Sequence, residues 1–294
     1  MRGRWLGAAV VALSLTGVAC GSGGDRTGPG ASGGRSTTTV APTTTSVPAG
    51  TSTTTATTAD PLARPAWLGT RVLPTNPDGS VSARRTPPEL DPRTLRTLDH
   101  LPPPADGGFH ARVVAVPAAV AARSSWEPAC PVALADLRYV TVSFWGFDAK
   151  AHTGEMLVHR DAADGFVRVF HRLFDARYPI EEMRVTSRAD LDAPPTGDGN
   201  NTSAFACRPT RGKSSWSQHA YGLAVDVNPF QNPYTNGARV LPELASAYLD
   251  RAEPRPGMIR PGDQVTGAFG SIGWHWGGLW HDPTDYMHFS ANNR

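Results

Sequence analysis

Residues 21–64 hold Gly, Ser, Thr and Pro with almost no large apolar side chains, so they cannot build a packed core. Threonine triplets fall at 37–39, 43–45 and 53–55. Fixing such a backbone costs about 1–2 kcal/mol per residue, with no burial to offset it. The tract reads as a flexible stalk, and whatever folds must lie after it. Ahead of it, Arg2 and Arg4 precede an apolar run over residues 6–18, then Ala19, Cys20 and Gly21. A charged start, a short apolar stretch and small residues before a cut mark an export signal; the run is short for a membrane span. Cys20 stands where a lipoprotein signal places its lipidated cysteine. Residues 1–20 are therefore expected to be a lipoprotein-type signal peptide, anchoring the chain outside the cytoplasm at the outer face of the cell membrane. Gly17, where an aliphatic residue is usual, keeps a plainly cleaved secretory signal open. With Cys20 set aside, Cys130 and Cys207 remain. An even pair in an oxidising compartment is expected to form a disulfide.

The 28 basic and 26 acidic residues nearly cancel, and no basic run occurs, which argues against a nucleic-acid partner. Residues 65–125 form a poorly defined N-terminal extension, broken by Pro87-Pro88 and by prolines 102–104. Within it, 109–116 alternates like a strand. From Trp126 to residue 294 the pattern is that of a packed domain. Residues 139–145 read as a strand, and a turn near 148–154 leads to a second over 156–158. Asp161 or Asp164 would cap a helix whose apolar positions Phe166, Val169, Phe170, Leu173 and Phe174 recur at helical spacing, ending by Pro179. Residues 182–186, 222–227 and 285–290 read as strands, and 265–272 as a helix. Helices and strands do not alternate regularly, so the expected class is α+β, a mostly antiparallel sheet with flanking helices.

The chemistry concentrates in Ser217, His219, Gly222, Ala224 and Asp226, and later in Asp285 and His288. Histidine and carboxylate side chains suit zinc, and a catalytic zinc site wants three protein ligands with one position left for water. His219 and Asp226 are seven residues apart, a spacing that a turn and a returning strand can close. Asp285 precedes His288 by three residues. In one flat strand the two would point to opposite faces, so a shared site demands a bend at Asp285.

The pattern S-x-H-x-x-G-x-A-x-D followed by D-x-x-H resembles the M15 family of zinc D-Ala-D-Ala carboxypeptidases and L-alanyl-D-glutamate peptidases, whose fold is shared with the hedgehog signalling domain. The resemblance spans roughly residues 130–290. It implies that His219, Asp226 and His288 bind zinc, that Asp285 is the general base, and that the substrate is the stem peptide of bacterial peptidoglycan. The arginine that grips substrate in that family has no clean counterpart; Arg208 is preferred, then Arg184. Ser217 is expected to support the ligand shell. His100, His110, His152, His159 and His171 read as structural. Trp274, His275, Trp276, Trp280 and His281 read as core or cleft wall. Tyr221 and Asn228 are cleft or structural positions. A zinc-stabilised binding module without catalysis is the competing function. A serine peptidase of the Ser-x-x-Lys type is excluded, because Phe147 and Thr210 stand three residues before Lys150 and Lys213.

Overall fold

The computed structural model describes residues 60–293. The expected signal peptide with Cys20, and residues 21–59 of the expected stalk, lie outside the described residues.

The alternating segments form an antiparallel sheet of β1 (Ala111–Ala115), β2 (Leu137–Trp145) and β3 (Ala151–His159), in that order. Val140, Val142 and Phe144 bury one face of β2, as β-branched and aromatic side chains do on a pleated surface. After β1 comes the short helix α1 (Ala118–Arg123). Helix α2 (Ala163–Asp175) lays Phe166, Val169, Phe170 and Leu173 into the same core, each at most 1% exposed. Each contributes about 1.5–3 kcal/mol of apolar burial. Phe174 turns aside to stack on Trp145 and meet Phe109. Neither Asp161 nor Asp164 caps the helix. A 3-10 turn over Arg160–Ala162 runs straight into it, so the backbone supplies the first partners and Asp164 lies in the first turn.

Residues 182–186 run extended without joining a ladder. The side chain of Asn201 takes the place of a neighbouring strand, accepting from Arg184 N–H at 2.9 Å and donating to Arg184 carbonyl at 3.0 Å. Helix α3 (Arg188–Asp192) follows, opened by a Ser187–Asp190 capping box.

The remaining strands are short: β4 (Ala224–Asp226), β5 (Tyr234–Asn236), β6 (Arg239–Leu241), β7 (His275–Trp276), β8 (Thr284–Asp285) and β9 (His288–Ser290). They make two further antiparallel sheets, ordered β4-β9-β7 and β6-β5-β8. Helix α4 (Gln264–Gly270) starts where Asp263 accepts from Val265 and Thr266 N–H, at 3.0 and 2.9 Å. Its Phe269 stacks on Phe289 of β9 with ring centroids 4.0 Å apart, which ties the small sheet to the α2 core. Helices and small antiparallel sheets together make an α+β fold.

The extension does not stand apart from the domain. β1 pairs with β2, and Leu73, Leu90 and Leu95 pack with Phe230, Leu244 and Tyr248. Arg93, 1% exposed, donates to both Glu181 carboxylate oxygens at 2.7 Å and to Asp198 carbonyl at 2.8 Å. Residues 60–64 join the same body, since Leu62 carbonyl accepts from Arg96 N–H and Arg64 donates to Glu181. Cys130 and Cys207 form a disulfide across a sequence separation of 77 residues. In the chain-entropy account, closing a loop of that length stabilises the fold by about 4–5 kcal/mol.

Candidate functional site

The site begins with a tight turn. Ser217 hydroxyl accepts from His219 N–H at 3.3 Å and opens a 3-10 helix over Gln218–Tyr221. Gly222 ends it in the left-handed region at φ 68°. A Cβ there would stand 2.6 Å from His159 N and 3.0 Å from the Val158 carbonyl carbon. Only glycine lets the turn rest on β3, where Gly222 carbonyl accepts from His159 N–H at 2.9 Å. The chain then enters β4. In its register with β9, Val225 faces Phe289 and Asp226 faces His288. Side chains alternate across a strand, so the fully buried Val225–Phe289 pair commits Asp226 and His288 to the opposite face.

His219 meets them there. Its Nδ1 lies 2.6 Å from Ala204 carbonyl. A carbonyl only accepts, so that nitrogen carries the proton and Nε2 presents its lone pair. Nε2 is 3.2 Å from Asp226 Oδ1 and 3.2 Å from His288 Nδ1, and His288 Nδ1 is 3.1 Å from Asp226 Oδ1. Burial alone would raise the Asp226 carboxyl, but His219 and His288 outweigh it and hold the group well below the usual carboxylate range. Two imidazole nitrogens and a carboxylate oxygen, all within 4.8 Å of one another, form a donor set that can hold a metal ion.

Asp285 approaches from the other sheet. β8 pairs with β5 while β9 pairs with β4 and β7, and Tyr286 and Met287 form the break between them. The bend that a shared site demands is present. Asp285 keeps part of its surface exposed, yet its Oδ1 is buried with no hydrogen-bond partner among the described residues. Burial pushes its carboxyl up to about 7, with His288 and Arg208 opposing and Asp226 reinforcing. Those three charges are its electrostatic neighbours.

Arg208, half-buried, has one hydrogen bond from its guanidinium, Nη1 to Pro209 carbonyl at 3.3 Å. Burial lowers its pKa, Arg211 adds to that, and the negative charges of Asp226 and Asp285 oppose it. Its charge thus belongs to the site's neighbourhood. Arg184 is engaged elsewhere, its guanidinium donating to Glu182 at 2.6 Å and to Asp190 at 2.7 and 2.9 Å. Ser217 holds the backbone of His219 at the start of the turn.

Trp280 lies against the His288 ring, with centroids 5.4 Å apart. Trp274 and Trp276 are buried, while His275 and His281 are exposed. Asn228 is a structural residue: it donates to Pro179 carbonyl and accepts from Glu181 N–H. His152 sits between Asp99 and Asp148, and His100 pairs with Glu182. Sequence reasoning missed Ala204, whose carbonyl orients His219; a backbone group leaves no trace in residue identity.

Comparison with curated proteins and with solved structures gave no match. Residues 210–291 match a protein family described as D-alanyl-D-alanine carboxypeptidase. That stretch supplies His219, Asp226, Asp285 and His288, and over it the chain is similar to the M15 peptidases.

Proposed function

We propose that the protein hydrolyses peptide bonds in peptidoglycan stem peptides, as a zinc metallopeptidase of the D,D-carboxypeptidase type. The observation that carries the reading is the buried Oδ1 of Asp285, unpartnered among the described residues, on a carboxylate that feels the charges of Asp226 and His288, two of the three converging lone-pair donors. The donor set fits zinc, since His219 Nε2 presents a lone pair to a carboxylate oxygen and a second imidazole nitrogen, a convergence that a cation relieves. When bound, zinc acidifies water towards about pKa 7 and polarises a carbonyl.

The chain's own residues do the rest. Asp285 accepts a proton from the attacking water and passes it to the leaving amine. Its buried Oδ1, free of any hydrogen bond among the described residues, leaves a lone pair available for that proton. Ala204 and Ser217 fix the ring and backbone of His219. Arg208, with most of its donors unused, grips a substrate carboxylate through paired charge-assisted hydrogen bonds. This reading includes the hedgehog-type fold of the family, and export to the outer face of the membrane through residues 1–20.

The test is mass spectrometry of stem peptides incubated with the protein. Release of an amino acid or dipeptide is expected, abolished by a chelator and restored by zinc. The product identifies the bond. Binding without turnover at full zinc occupancy would leave a binding module instead. Arg208→Ala should lower kcat/KM roughly 10–100-fold for a peptide with a free terminal carboxylate, the value of about 1.5–3 kcal/mol of charged hydrogen bonding. The same peptide amidated at its terminus should show a much smaller loss. Equal losses would remove Arg208 as the anchor.

A further inference from the structure

Between Cys207 and His219 the chain makes an excursion that metal binding does not require. Pro209 and Trp216 pair antiparallel, Thr210 N–H donates to Ser215 carbonyl at 2.9 Å, and Lys213 N–H donates to Thr210 carbonyl at 2.9 Å. Gly212 turns the tip at φ 74°. The result is a small hairpin over residues 208–217. Both its feet are fixed, one by the Cys130–Cys207 disulfide and the other by the turn that starts at Ser217.

Three observations single it out. It carries Arg208, Arg211 and Lys213 and no acidic residue. Several arginines, such as Arg93, Arg123, Arg184 and Arg255, are ion-paired and others are not; among the described residues no ion pair reaches Arg208, Arg211 or Lys213, so all three charges of the hairpin are left for a ligand. Residues 211–216 are all exposed, including Trp216 at 37%, so neither the charges nor the indole serve the core. Arg211 lies near enough to Arg208 for the two charges to repel. Positive charges held on a pinned turn, unpaired and mutually repulsive, favour an anionic ligand. A substrate with two carboxylates would relieve both arginines at once.

We infer that the 208–217 hairpin is a second anion subsite, in which Arg211 and Lys213 read a substrate carboxylate other than the terminal one that Arg208 grips. The inference rests on the peptidase reading above and sets the substrate class: stem peptides that keep a free acid away from the terminus, in preference to amidated ones.

The experiment compares the full-length protein with R211S/K213S on two peptides. Both have a free C-terminus; one bears a second free side-chain carboxylate, and the other bears its amide. The wild type should prefer the diacid roughly tenfold, a preference that shrinks as salt screens the charges. In the double variant the loss of kcat/KM on the diacid should exceed the loss on the amide by about tenfold. The charge reversal R211E/K213E should favour the amide. Equal losses on both peptides, or none, would overturn the subsite. If the wild type cleaves neither peptide, the peptidase reading fails. Calorimetric titration of the same peptides then decides the subsite separately: equal affinity for diacid and amide overturns it, and tighter diacid binding that is lost in R211S/K213S sustains it. Loss of binding to a glycerol-phosphate polymer, with peptide preference untouched, would assign the hairpin to wall polymer and overturn the inference.

Discussion

Asp285→Ala is expected to keep bound zinc and to lose roughly 10²–10⁴-fold in kcat, the usual worth of a general base. The reason is the division of labour at the site. His219, Asp226 and His288 bring their donor atoms within 4.8 Å of one another, and Asp285 is not in that set. Its Oδ1 is buried without a partner among the described residues, a costly condition that a bound water would relieve. Asp285→Asn preserves the shape but cannot accept a proton as a carboxylate does, so its loss should be as large. Metal analysis and turnover on the same preparations check this. Zinc lost in step with activity would make Asp285 a ligand, and full activity would remove it from the mechanism.

The second large effect is expected of His219→Ala: loss of metal and turnover together. Losing an outer-shell partner of a metal ligand costs about 10–100-fold in affinity, and losing a ligand itself should cost more. The substitution also leaves Ala204 carbonyl buried without its donor, an added cost of about 1–3 kcal/mol. The variant should unfold at lower temperature, and added zinc should fail to raise its Tm, whereas a rise is expected for the wild type. A zinc-dependent rise in Tm as large as the wild type's would show that the ion sits elsewhere.

The parts of this molecule legible in the sequence are those where a short pattern sets the geometry. The apolar spacing of Phe166, Val169, Phe170 and Leu173 fixes which face of α2 is buried. The seven-residue spacing of His219 and Asp226 is closed by a turn and a returning strand, as that spacing allows. Gly222 signals a close passage, and the structure supplies its reason in the backbone of β3. What the sequence hides depends on distant partners. The extension reads as undefined because its apolar residues lie isolated among prolines, and Leu90 and Arg93 find Tyr248 and Glu181 only in the folded chain. Segment 182–186 looks like a strand, but its hydrogen bonds go to scattered partners, the Asn201 side chain and the N–H groups of Ser125, Glu155 and Thr202, instead of one neighbouring strand. The sequence ranks Arg208 before Arg184 as anchor without a geometric reason. Their surroundings separate them, because Glu182 and Asp190 occupy Arg184 while Arg208 lies near Asp285.

Anomalous scattering at the zinc edge, from crystals grown with zinc, tests the central claim most directly. One strong peak is expected, bonded to His219, Asp226 and His288, with Asp285 close to it but not bonded. A peak at other residues, or an ion that binds Asp285 in place of one of the three, would contradict it.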